Sequence, residues 1–246
     1  MKKWRSFPVL VGFLFSILLI ATFLNPTGTD AFDRDSKWDT VYSKGSRLYL
    51  THCAACHGKN GKGGVGLPLN LQSFLSVAPE GYIRRSIFYG RLPRQMIPYG
   101  TFLKKEDIEA IATYVRSWQL RDYAGIDQKR VAGSVSRGKQ FFDGMCSGCH
   151  GRDGLGGPQV GGGHVTNAMA GYAGPALNNQ GFLKSATDGY IKATMMQGRV
   201  GTPMGAYLKG KQGMVELTEE EINDIVAYIR TWEKRDSGLV DPWRDK

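Results

Sequence analysis

Cysteine is scarce, with four residues in 246, too few for a disulfide-built scaffold. Histidine is equally scarce, at four. The net charge is +10, yet no run of five like charges occurs, which argues against a nucleic-acid site. The β-branched alternation of half-buried strands is nearly missing, so no sheet is expected. Glycine is plentiful, at 33 residues, but has no three-residue period, which excludes a collagen-like chain. Apolar residues at 41% and charged residues at 22% fit a folded protein rather than a disordered one.

Long apolar runs are also missing, with one exception at 7–24. That stretch carries no charge, and as a helix its 18 residues span roughly 27 Å, close to a bilayer core. Lys2, Lys3 and Arg5 precede it, so the terminus is expected to stay cytoplasmic and the remainder to be exported. A cleaved signal peptide is the alternative, although its apolar core is usually shorter and the only candidate cleavage site, Thr29-Asp30-Ala31, is distant. The reading is a transmembrane anchor at 1–24, a linker at 25–39, and soluble domains on the outer face of the cytoplasmic membrane. The basic surplus beyond the anchor fits a solvated surface or a mildly basic docking face for an acidic protein.

The exported part is two copies of one unit. CAACHGKNGKGG begins at Cys53 and CSGCHGRDGLGG at Cys146. Gly45 and Tyr49 stand eight and four residues before the first; Gly138 and Phe142 stand likewise before the second. Tyr89-Gly90-Arg91 and Met96 correspond to Gln197-Gly198-Arg199 and Met204. Ile108, Ile111, Tyr114, Val115 and Trp118 correspond to Ile222, Ile225, Tyr228, Ile229 and Trp232. A fixed repeat of this kind sets the domain count before any other argument. The units run over 40–122 and 134–235, with a polar linker at 123–133 and a tail at 236–246. Each closing segment has the apolar spacing of a helix. Thr218 and Glu221 predict a capping box for the second; Lys104 is a weaker start for the first. Helix is also expected before each CxxCH, so the fold class is all-α.

Every cysteine lies in a C-x-x-C-H motif, the attachment signature of c-type haem. Two thiols three positions apart on one helical turn reach the two vinyl groups of one porphyrin edge, and the next residue turns an imidazole toward the iron. Cys53, Cys56, Cys146 and Cys149 are thus expected to hold two covalent haem c groups, with His57 and His150 as proximal axial ligands. A redox dithiol would sit at a strand-to-helix junction in an α/β pattern, which is missing. A single zinc site would not separate its cysteine pairs by about 90 residues or add a histidine to each. Glycine segments such as Gly161-Gly162-Gly163 lack the features of a nucleotide loop.

For the sixth ligand, Met96 and Met204 occupy the same repeat position, in loops before the closing helices. Met195 and Met196 read as packing, and Met145, Met169 and Met214 have no partner at a ligand position. His52 reads as packing or surface. His164, in the longer glycine-rich loop 157–173, stays open as a competing ligand, and that loop as a contact or as slack. A backbone carbonyl to orient each proximal imidazole is expected at Gly66-Leu67-Pro68-Leu69 and at Gly174-Pro175-Ala176-Leu177.

On these residues the chain resembles the class I cytochrome c family in its tandem dihaem, membrane-anchored form. The resemblance covers both units, with departures at Leu67, where the family often has proline, and at Ile97, which separates Met96 from Pro98. It implies that glycine and aromatic residues of each first helix pack against the aromatics of the last helix and frame the haem. It also implies one-electron transfer without bond chemistry. The partners implied are a membrane quinol-oxidising cytochrome bc-type complex or a terminal oxidase, with a soluble redox protein as a further option. A dihaem oxidoreductase of peroxidase or thiosulfate-oxidising type is the alternative, and a sensor or structural module a third.

Overall fold

The computed structural model describes residues 29–157, 159–160, 163–164, 174–211, 215–234 and 238–243. From Val41 onward the chain forms one compact unit. The segment 7–24 lies outside the described residues, among which no helix is long and apolar enough to cross a membrane. The stretch expected as a linker at 25–39 is described from Thr29 onward. Helix α1 (Thr29–His52) already runs through most of it, because no proline or glycine interrupts the chain between Thr29 and Lys44.

The repeat is a repeat of elements. The end of α1, then α2 (Ala54–His57), α3 (Gln72–Leu75), α4 (Glu80–Tyr89) and α5 (Lys105–Arg116) make the first half. In the second half the same order is α6 (Val135–Phe141), α7 (Ser147–His150), α8 (Gln180–Ser185), α9 (Asp188–Gln197) and α10 (Glu219–Arg230). A wider turn, Phe142–Cys146, carries α6 on to its CxxCH. The one departure from helix among the described elements is a short antiparallel pair, β1 (Gln159–Val160) and β2 (Gly163–His164), in the glycine-rich loop. The remainder of that loop falls outside the described residues.

Each first helix crosses each last helix at a glycine. A Cβ at Gly45 would run into the carbonyl of Ala110, and one at Gly138 into that of Asp224. Only glycine allows backbones this close. Beside the crossing, Tyr49 lies 5.4 Å from Tyr114 and 5.1 Å from Trp118. Phe142 makes the same contacts with Tyr228 and Trp232, at 5.5 and 5.2 Å. Tyr49 and Phe142 are fully buried, so these edge-on aromatic clusters anchor both cores.

The closing helices start as their sequences require. Thr218 N–H donates to Glu221 (2.8 Å) and Glu221 N–H to Thr218 Oγ1 (3.3 Å), a reciprocal cap. In the first half Lys104 N–H donates to Asp107 (3.3 Å). Near their ends, Arg116 donates to the carbonyls of Leu75 and Ala78, and Arg230 to those of Leu183 and Ala186. These bonds tie α5 to the end of α3, and α10 to the end of α8.

The two halves meet through equivalent residues. Tyr82 and Tyr190 stack at 4.1 Å. The guanidinium of Arg91 lies over Phe182, and that of Arg199 over Phe74. Arg91 is held by Ser86 Oγ (2.7 Å) and Arg199 by Thr194 Oγ1 (2.6 Å). The dyad is approximate. Gly181 lets α8 seat against the Gly90 carbonyl, whereas Ser73, at the equivalent place, offers its own carbonyl to Arg199 (2.9 Å). The tail also returns to the first half. Asp241 pairs with Arg85 (2.8 Å), and Trp243 donates to Glu109 (2.8 Å) and meets Phe88 edge-on.

Candidate functional site

Each CxxCH is a single helical turn closed by its own backbone. Cys56 N–H and His57 N–H both donate to the Cys53 carbonyl, at 3.1 and 2.9 Å. Gly58 and Gly151 then leave the turn with φ of 77° and 78°, which only glycine adopts without strain. The loop folds back under the turn, with Gly63 N–H on the His57 carbonyl (2.8 Å) and Gly66 N–H on that of Cys56 (2.9 Å). In the second half Gly156 and Gly174 make the corresponding bonds, to His150 (2.7 Å) and Cys149 (2.9 Å).

The imidazoles are oriented as the sequence suggests. His57 Nδ1 lies 2.7 Å from the Leu67 carbonyl, and His150 Nδ1 2.8 Å from that of Pro175. A carbonyl oxygen can only accept, so Nδ1 carries the proton and Nε2 keeps its lone pair for a metal. Burial holds both imidazoles below their ordinary pKa, against the opposing effect of the carbonyl bond. Neutral imidazole is the ligating form. Gly66 and Gly174 leave room for the rings, since a Cβ at either would come within 2.9 Å of Nδ1.

As thiols, Cys53 and Cys146 are pushed up to about 12, first by burial and then by the neighbouring cysteine. An activated redox dithiol has the opposite shift. Among the described residues no cluster of three or more metal-binding side chains of the His, Cys, Asp and Glu types occurs.

The methionine loops have one design. Arg91 N–H donates to the Met96 carbonyl and Arg199 N–H to the Met204 carbonyl, both at 2.7 Å. Three residues after each methionine stands a tyrosine, Tyr99 or Tyr207. Burial raises the pKa of each hydroxyl, and the cysteine pair of its own half raises it further. Both loops therefore lie beside their CxxCH turns. Tyr99 also donates to the His52 carbonyl (2.7 Å), and the His52 ring packs near Tyr99 and Phe102, in keeping with a packing role. Met195 is buried and Met196 packs against the core, as read from the sequence. Tyr99 and Tyr207 went unnoticed in the sequence, although their equal spacing from the methionines was there to find.

A porphyrin fits this chemistry. Around each turn are an imidazole with a free Nε2, two thiols on one turn and a methionine loop. Apolar side chains fill out the setting: Leu67, Ile97 and Phe102 are 48, 46 and 53% exposed.

Comparison with known proteins agrees. The family described as "Cytochrome c" matches residues 135–233. "Cytochrome C oxidase, cbb3-type, subunit III" matches 40–115. The chain is 30% identical over 140 residues to the cbb3-type cytochrome c oxidase subunit FixP of Azorhizobium caulinodans, covering 54% of this chain and 46% of that protein. It is 32% identical over 129 residues to the subunit CcoP of Rubrivivax gelatinosus, covering 51% and 39%. The match thus spans less than half the length of these relatives. A chain of the Kuenenia stuttgartiensis reducing HAO-like protein complex aligns over 78% of this chain and 96% of its own, with 18% identity and a TM-score of 0.44.

Both halves of the body are cytochrome c domains. Each half of the body thus matches a family model of its own, as expected of a tandem dihaem class I cytochrome c with two covalently bound haem c groups.

Proposed function

We propose that this protein is a membrane-tethered one-electron carrier and a subunit of a terminal oxidase complex of the cbb3 type. The chain's own part is to hold two redox groups in series and to tune them. Cys53 and Cys56 form the thioethers of the first and Cys146 and Cys149 those of the second. His57 and His150 supply the proximal nitrogens, held in one tautomer by the carbonyls of Leu67 and Pro175. Met96 and Met204 would supply a thioether sulfur to each group, and a thioether ligand raises the reduction potential. Haem would supply reversible single-electron chemistry when bound, and the chain's own part is then to hold and tune it. Phe142, Tyr49 and their aromatic partners keep water from the groups and limit rearrangement on electron gain.

The observation that carries this reading is the duplication of the whole constellation, from imidazole and carbonyl to methionine loop. The relatives bearing the names CcoP and FixP support the oxidase as partner. The apolar stretch 7–24, preceded by basic residues, supports the tether and the outer-face location.

The test is spectroscopic. The oxidised protein is expected to show the weak far-red band of methionine-ligated ferric haem, and Met96→Ala and Met204→Ala are each expected to remove about half of it and to lower one of two potentials. Loss of neither band nor potential would refute the ligand assignment. Pigment that leaves the denatured chain in acid–acetone would refute attachment.

A further inference from the structure

The two methionine loops are of equal length, so each position in one has a partner in the other. Arg91-Leu92-Pro93-Arg94-Gln95-Met96 stands against Arg199-Val200-Gly201-Thr202-Pro203-Met204. The second loop closes on itself. Thr202 Oγ1 donates to the Arg199 carbonyl (2.7 Å) and accepts Met204 N–H (3.2 Å). Arg94 takes the place of that threonine. Its N–H still reaches the Arg91 carbonyl (2.7 Å), but a guanidinium has no acceptor and cannot receive Met96 N–H. Its side chain instead leaves the loop and donates to the Leu155 carbonyl of the second domain. Leu155 precedes Gly156, whose N–H donates to the His150 carbonyl (2.7 Å).

A second departure from the repeat falls on the same loop. Helix α3 begins after Leu71 with no side-chain cap, whereas α8 begins after Asn179. Asn179 is buried and uses both ends of its amide. Oδ1 accepts Phe182 N–H (3.1 Å), which caps α8, and Nδ2 donates to the Leu92 carbonyl (2.8 Å). Leucine at the equivalent place can do neither. The Met96 loop is thus pinned by the other domain at Leu92 and at Arg94, on either side of Pro93. Among the described residues, the Met204 loop bonds to the first half through the Arg199 side chain, which lies on the Ser73 carbonyl (2.9 Å) and over Phe74.

We propose that Asn179 and Arg94 are positioning residues for Met96: the second domain holds the ligand loop of the first, while the Met204 loop holds itself. This rests on the reading of Met96 and Met204 as iron ligands given above. A ligand carried on a loop is placed only as well as the bonds around that loop place it. Release of the Leu92 and Leu155 bonds frees the first loop to move and makes its sulfur easier to replace. The second loop keeps its own brace in Thr202.

The test uses the full-length haem-loaded ferric protein and imidazole, whose nitrogen takes the place of the methionine sulfur on iron with no electron transferred. Loss of the far-red band reads the exchange at each haem, and Met96→Ala identifies the first. Asn179→Ser keeps an acceptor for the α8 cap but lacks the amide that reaches Leu92. It and Arg94→Ala are each expected to tighten imidazole binding at the first haem roughly tenfold, the effect of one lost hydrogen bond, and to leave the second within about twofold. Arg94→Thr supplies the hydroxyl that Thr202 supplies, and should recover most of the Arg94→Ala change. Thr202→Ala should act on the second haem in the same sense. In a Met96→Ala chain, with no sulfur left to displace, Asn179→Ser is expected to add nothing. No change, equal changes at the two haems, or a change that survives Met96→Ala would overturn the proposal. Should Asn179→Ser fail to hold haem, the two Arg94 variants decide. A far-red band at full strength in Met96→Ala would instead refute the ligand reading itself.

Discussion

At the scale of single residues, the two glycines at the helix crossings bear most directly on stability. Gly45→Ala or Gly138→Ala forces a methyl group into a backbone carbonyl, and neither partner can move without parting the helices. A loss of about 1–3 kcal/mol is expected for each, read as a lower midpoint in denaturant unfolding. An unchanged midpoint would show that the crossing is looser than it looks. Haem content in the same samples reports whether the aromatic frame survives.

The candidate site residues were legible for chemical reasons. CxxCH admits few uses, and the repeat singled out Met96 and Met204 among eight methionines. The carbonyls of Leu67 and Pro175 could be expected, because a ligating imidazole needs an acceptor for its second nitrogen. Leu67 in place of proline leaves that carbonyl in position. Tyr99 and Tyr207 are another matter, because one tyrosine among eleven gives no sign of what it touches.

At the scale of elements, the closing helices are tied down by acidic side chains at their starts. The backbone and hydroxyl of Thr218 hold the Glu221 carboxyl below its ordinary pKa. The bond from Lys44 does the same for Asp107. A carboxylate whose folded pKa is depressed stabilises the fold fully above its unfolded value, about 4. That contribution is lost as pH falls through the folded value. Unfolding midpoints are therefore expected to drop below about pH 4, and Glu221→Gln should flatten the part of that slope due to α10. A slope unaltered in Glu221→Gln would remove the cap from the account. Thr218 and Glu221 announced this cap in the sequence. The early start of α1 was not announced: 25–39 read as a linker, yet no proline or glycine stands between Thr29 and Lys44 to stop a helix.

At the scale of the whole molecule, two units were legible in the repeat, with no sign of how they join. Arg91 and Arg199 stood out only as repeat partners, and stacking of Tyr82 on Tyr190 is a long-range event that no local pattern encodes. The tail, too, read as an end without a role, although Trp243 docks on the first domain. Trp243→Ala removes the Glu109 bond, the edge contact with Phe88 and the cation contacts of Arg84 and Lys105. A loss of about 2 kcal/mol is expected, read as earlier unfolding of the first domain. A shift confined to the second domain would contradict the docking.

The stacked tyrosines and crosswise guanidiniums have a corollary. Each half brings both kinds of surface to the seam, an arginine to lay over a phenylalanine and a phenylalanine to receive an arginine. A patch that complements its own copy is the hallmark of an isologous dimer. The chain thus reads as a homodimer made permanent by a short tether, in which Gly181 and Ser73 mark where the halves have stopped being interchangeable.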